Sequence, residues 1–87
     1  MGFTVEYFSR FIRTFRKIDA DLREEIVEKV DLLKDADNHT RLKVHKLTGK
    51  LKGTWSFSVN YRVWITFSKP KKNVLVLETV GTHDEVY

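Results

Sequence analysis

The stretch Trp55-Ser56-Phe57-Ser58-Val59-Asn60-Tyr61-Arg62-Val63-Trp64-Ile65-Thr66-Phe67-Ser68 decides the fold. Trp55, Phe57, Val59, Tyr61, Val63, Ile65 and Phe67 occupy every second position, and a period of two puts them on one face of an extended chain. Either one long strand or a hairpin with an odd-length turn satisfies the pattern. A three-residue turn at Val59–Tyr61 keeps the phase, because residues 57 and 63 then share a face, and Asn60 tolerates the left-handed backbone such a turn needs. Downstream, Pro70–Asn73 reads as a second turn. Val74–Val80 is nearly all apolar, as expected of a central strand covered on both faces, and Gly81 ends it. Arg62 and Trp64 fall on the opposite face from the apolar set, beside Ser56 and Ser58.

Upstream of this stretch the period changes. Phe3–Tyr7 reads as a short strand. Phe8, Phe11, Ile12, Phe15 and Ile18 recur at helical spacing, with Arg10, Arg13, Arg16 and Lys17 on the wet side and Ser9 as a cap. A second helix is expected from Asp21 to Ala36, with Asp21 and Glu24 as a capping pair and Leu22, Ile26, Val30 and Leu33 as its buried stripe. Only Asp19 and Ala20 separate the two helices, so they form an antiparallel hairpin. Asn38–Gly53 is polar, and Val44–Leu47 within it is a short strand or an extended loop. The resulting order is β-α-α-β-β-β: an α+β domain with a small antiparallel sheet and an N-terminal helical hairpin packed on one face. At 87 residues, the chain is a single domain over 1–87.

Composition narrows the chemistry. Hydrophobic residues make up 41% and aromatics 13%, enough for a packed core. No cysteine is present, which removes disulfides, thiolate metal sites and cysteine nucleophiles, and no metal or other cofactor is expected. The first apolar stretch is broken by Glu6, Arg10 and Arg13, so no membrane association is expected and a cytoplasmic location is. The net charge is +4, and its distribution is uneven. From Arg41 to Lys72 there are nine Lys or Arg and no acid, whereas acids gather in Asp19–Asp37 and Glu78–Glu85. An acid-free basic segment carrying Arg62 and Trp64 suits single-stranded RNA: lysines attract phosphates and aromatics stack bases.

The ending Gly81-Thr82-His83-Asp84-Glu85-Val86-Tyr87 supplies further candidates, with His83 and Tyr87 one helical turn apart. RNA is cleaved without a metal when its 2′-OH attacks the adjacent phosphorus and the 5′-oxygen leaves. That reaction needs a proton acceptor, a cation for the phosphorane charge and a proton donor. Histidine serves as acid or base near neutral pH, and arginine grips phosphate oxygens as a fork. Taken alone, Arg62 and His83 also read as surface residues, and Trp64 as a cross-strand packing residue. Trp55 reads as core, and His39 has no assigned role.

Two segments together resemble one known family. The run His45-Lys46-Leu47-Thr48-Gly49-Lys50-Leu51-Lys52-Gly53-Thr54-Trp55-Ser56, followed by Tyr61-Arg62, is similar to the basic loop and following strand of the RelE/ParE superfamily of toxins, and Gly81–Tyr87 is similar to the ending of many RelE-type toxins. The resemblance implies a RelE-like fold and a type II toxin of the RelE, YoeB or YafQ kind. Such a toxin is a metal-independent endoribonuclease that cuts mRNA in the ribosomal 30S A site and is neutralised by a cognate antitoxin. It would contact DNA only as a toxin–antitoxin complex. On that basis Arg62 matches the arginine on the scissile phosphate. His83 matches a proton-transfer histidine, Tyr87 a substrate-orienting aromatic and His45 a functional histidine of the YafQ branch. Lys46, Lys50 and Lys52 match the RNA-binding loop; Trp64, on its own chemistry, is a base platform or a cross-strand packing residue. The second arginine of several relatives is replaced by Thr79 and Val80, and no glutamate stands in Asn38–Lys43, so the general base is either His45 or His83. Two other functions fit the same fold: a ParE-like inhibitor of DNA gyrase, and a catalytically decayed module that binds only antitoxin and operator DNA.

Overall fold

The computed structural model describes residues 2–49 and 53–82. Strand β1 (Thr4–Tyr7) leads into helices α1 (Ser9–Arg16) and α2 (Ala20–Leu33). A single 3-10 turn at Ala36–Asn38 follows, then β2 (His45–Lys46), β3 (Trp55–Ser58), β4 (Val63–Lys71) and β5 (Val74–Thr82). The strands form one sheet in the order β1-β5-β4-β3-β2. The helical hairpin covers one face of it. Phe11, Ile26, Val30 and Leu33 from the helices meet Phe57, Ile65, Phe67, Leu75 and Leu77 from the strands in the core.

The expected α+β order holds, and pairing adds two details. His45–Lys46 is a strand rather than a loop, which makes five strands among the described residues. β1 lies parallel to β5, with Val5 opposite Leu75 and Tyr7 opposite Leu77, so the sheet is mixed and not wholly antiparallel. The helical hairpin carries the chain from β1 at one edge of the sheet to β2 at the other, and the antiparallel run β2–β5 returns the last strand alongside the first in the same direction. β5 is an interior strand, between β1 and β4. Leu75 and Leu77 are buried against the helices, but Val74 and Val76 are only half-buried, so it is covered fully on one face alone.

Local chemistry corrects several boundaries. Phe8, in an extended conformation, precedes α1 and no side chain caps it; Ser9 is already helical. Asp19, not Asp21, caps α2 by accepting from the Leu22 amide at 3.3 Å, because it is the residue still in extended geometry. Asp19→Ala is therefore expected to cost about 1 kcal/mol in urea unfolding. An equal or larger loss from Asp21→Ala would contradict this assignment. α2 stops at Leu33 rather than Ala36. Its last carbonyls are taken by side chains: Asn38 Nδ2 donates to the Leu32 carbonyl at 2.9 Å and His39 Nε2 to the Leu33 carbonyl at 2.8 Å. His39 also stacks on Phe3, so it closes the helix end.

The β3–β4 connection is a hairpin, one residue later than expected. Ser58 pairs with Trp64 and Phe57 with Ile65, so Tyr61 stands at its apex. The phase survives, because residues 57 and 65 share a face as surely as 57 and 63. Tyr61 does not: at the apex it is 90% exposed, although the alternation groups it with the inward residues. Asn60 acts through its side chain rather than a left-handed backbone. Its Oδ1 accepts from the amides of Arg62 at 2.8 Å and Val63 at 2.9 Å. Strand β4 runs through Pro70 to Lys71 with an irregular register after Ser68, where proline offers no ladder donor, which shortens the second turn to Lys72 and Asn73. Gly81 does not end β5, since it pairs with Trp64, and Thr82 with Val63.

Candidate RNA-binding face and interhelical groove

Register across the sheet assembles the face opposite the helices. His45 stands beside Ser56, Ser56 beside Thr66 and Thr66 beside Thr79, a row of one imidazole and three hydroxyls. Ser56 and Thr66 are buried, and the Thr66 and Thr79 hydroxyls are hydrogen-bonded to each other. In the next row Ser58, Trp64 and Gly81 stand side by side. Trp64 meets His45 edge to face, with ring centroids 5.7 Å apart.

His45 is exposed on the edge strand, and its Nδ1 lies 2.9 Å from the Lys43 carbonyl. A carbonyl only accepts, so Nδ1 carries the proton and Nε2 is the basic nitrogen of the neutral ring. Lys43 reaches this position with φ of 58°, a left-handed backbone that is unfavourable for a residue with a β-carbon. The local fold thus accepts strain at the residue that orients His45.

Arg62 lies in the β3–β4 turn, not on the strand. Its backbone is fixed through its own amide by Asn60, while its side chain is exposed and pairs with no carboxylate among the described residues. An exposed guanidinium on a rigid turn is a ready phosphate fork. Two residues further on, the chain presents Trp64. The exposed Tyr61 ring beside Arg62 is a candidate base platform that alternation alone conceals; its place in the turn between two strand patterns is the one signal for it.

Lys46 departs from the expected group. It pairs with Trp55, on the helix-side face, and its ammonium sits 5.7 Å from the Trp55 ring centroid, away from His45 and Trp64. Lys69 lies 4.6 Å from the same ring, and Trp55 packs on the core through Phe67. Alternation along β2 enforces this split, since neighbours on a strand face opposite ways. The candidates Lys50, Lys52, His83 and Tyr87 lie outside the described residues. Among the described residues no three His, Asp or Glu gather as metal ligands, and no helix is long and apolar enough to cross a membrane.

A second feature lies on the other side of the molecule. A groove of about 520 Å³ opens between the helices, lined by Tyr7, Phe11, Ile12 and Phe15 on one wall and Ile26, Val27 and Val30 on the other, with Glu28, Asp31 and Lys34 at its rim. Tyr7 (45%), Ile12 (37%) and Val27 (58%) are exposed there, and Phe8 (41%) adjoins them in the chain. Burial nonetheless raises the Tyr7 phenol above its ordinary value, which keeps it a hydrogen-bond donor. Single exposed apolar residues are common, but their concentration along one groove marks a contact surface.

The architecture defines a class: this is the fold of the RelE-like toxins of type II toxin–antitoxin systems. It matches the toxin–antitoxin complex RelBE2 of Mycobacterium tuberculosis at a TM-score of 0.76 and 19% identity, over 95% of this chain and 100% of that one. The Escherichia coli DinJ–YafQ complex is similar at 0.68 and 22%, over 98% of each chain. The archaeal RelE–RelB complex of Pyrococcus horikoshii is similar at 0.72 and 14%, over 94% of this chain and 96% of that one. At such identities the likeness is one of fold. No protein-family model and no curated protein matches the sequence.

Proposed function

We propose that this chain is the toxin of a type II toxin–antitoxin pair and acts as an endoribonuclease on mRNA held in the ribosomal A site. The observation that carries the proposal is Arg62, exposed and without a carboxylate partner among the described residues, on its locked turn two residues before Trp64 of the His45–Trp64 pair. Arg62 grips the non-bridging oxygens of the scissile phosphate and stabilises the charge of the phosphorane. A histidine takes the proton of the 2′-OH as the new O–P bond forms, and a second group returns a proton to the departing 5′-oxygen. His45 and His83 fill these roles in either order, Tyr87 orients the substrate, and Trp64 stacks a base. Lys50 and Lys52 hold the RNA backbone, whereas Lys46 adds charge from the far side of the sheet. No step requires a metal.

Inducible expression of wild type, His45→Ala and His83→Ala, read as growth together with 5′-end mapping of a translated reporter, tests this reading. The proposal expects arrest with new cuts inside the reading frame, and loss of cutting by about 10²-fold or more in at least one histidine variant. Arrest with intact mRNA and trapped gyrase cleavage complexes would move the protein to the ParE kind. Absence of arrest would identify a decayed binding module.

The antitoxin is proposed to seat an amphipathic segment in the interhelical groove. The solved complexes of similar fold hold their antitoxins RelB and DinJ, which supports a protein partner. Helix α1 carries Arg10, Arg13 and Arg16 and no acid, so the partner presents acidic residues along that wall and an apolar ridge to the groove floor.

A further inference from the structure

Asn60 uses both ends of its amide. Oδ1 closes the β3–β4 turn through the amides of Arg62 and Val63, and Nδ2 donates to Glu25 Oε1 of α2 at 2.8 Å. The same residue's carbonyl accepts from Ser58 Oγ at 2.6 Å, and the Val59 amide donates to the Val63 carbonyl at 2.9 Å. Closing such a turn requires only the oxygen of an Asn or Asp side chain. The nitrogen is therefore available for a different purpose, and it bridges 35 positions of sequence to a half-buried carboxylate on the helical hairpin. Arg62 makes no ion pair among the described residues, so the reach of its guanidinium is set by where the turn holds its backbone.

We propose that Glu25 and Asn60 are positioning residues for Arg62, tying the turn that carries it to α2. This rests on the reading of Arg62 as the phosphate-binding group. A displacement of about 1 Å at a reacting group costs up to 10²-fold in rate, so a loosened turn slows the chemical step while substrate binding, spread over many contacts, changes little. The donor and acceptor are separable by substitution. Asn60→Asp keeps the oxygen that closes the turn, removes the donor and sets two carboxylates against each other. Glu25→Gln keeps an accepting oxygen. The double variant Glu25→Gln, Asn60→Asp reverses the bond, so that the new amide on α2 donates and the new carboxylate in the turn accepts.

The test measures mRNA cleavage by purified protein on programmed ribosomes, with amide hydrogen exchange on the same four proteins. Asn60→Asp is expected to lower kcat by about tenfold or more with KM nearly unchanged. Exchange should accelerate at the Arg62 and Val63 amides, and the reversed pair should restore both rate and protection. Glu25→Gln should stay near wild type. A double variant as slow as Asn60→Asp, an Asn60→Asp protein with wild-type kcat, or exchange raised evenly along the chain would overturn the proposal. A wild type that cuts no RNA would instead defeat the ribonuclease reading, and exchange at the two amides would still decide whether the pair holds the turn.

Discussion

Arg62→Ala is expected to abolish growth arrest and lower RNA cleavage by about 10³-fold while leaving the protein folded. The magnitude follows from removing a preorganised donor that meets charge appearing only in the transition state, which costs about 10² to 10³ in kcat. Stability should change by no more than about 0.5 kcal/mol, because the side chain is exposed and makes no ion pair among the described residues and the backbone amide that Asn60 accepts from remains. Arg62→Lys keeps the charge and loses the fork, so it should recover part of the rate and not all. Comparable unfolding midpoints in urea with lost cleavage would support this account. An Arg62→Ala protein that still cuts mRNA at the wild-type rate would remove the residue from the mechanism.

Val27→Asp and Ile12→Asp are expected to weaken binding of the proposed antitoxin without impairing growth arrest. Val27 and Ile12 stand on opposite walls of the interhelical groove, are both exposed, and lie across the sheet from His45 and Trp64. A charge placed where a partner buries an apolar ridge is left unpaired, and losing such an anchor costs about 2 kcal/mol or more, roughly thirty-fold in affinity. Titration calorimetry of each variant with the cognate antitoxin reads the loss, and co-expression shows whether growth is still rescued. Unchanged affinity in both variants would place the antitoxin elsewhere, the sheet face being the alternative surface.

The fold was legible wherever period and punctuation were strong. The alternation from Trp55 to Phe67 marked the buried face, although one long strand satisfied it as well as the hairpin that forms, and the spacing of Leu22, Ile26, Val30 and Leu33 marked the second helix. What lay hidden depends on groups far apart in sequence. Nothing near Thr4–Tyr7 indicates a parallel partner in β5, since that pairing follows from the crossing of the hairpin. The Asn60–Glu25 bond joins two patterns that each look complete alone. A polar residue at Asn60 suits a turn in any register, so the apex shifted to Tyr61 without disturbing the faces. At the site, His45 and Trp64 were nameable from residue type and motif, but their contact required the β2–β3–β4 register. Lys46 shared its motif with His45 and still faces the other way, because one step along a strand reverses direction.

As proposed here, the protein cuts RNA through the Arg62 turn. The most direct test incubates the purified protein, freed of any bound partner, with ribosomes holding a defined mRNA codon in the A site, and sequences the ends produced. One cut within that codon is expected, leaving a 5′-hydroxyl on the downstream fragment, made by wild type and not by Arg62→Ala. Intact mRNA under conditions where the same preparation arrests growth would contradict it.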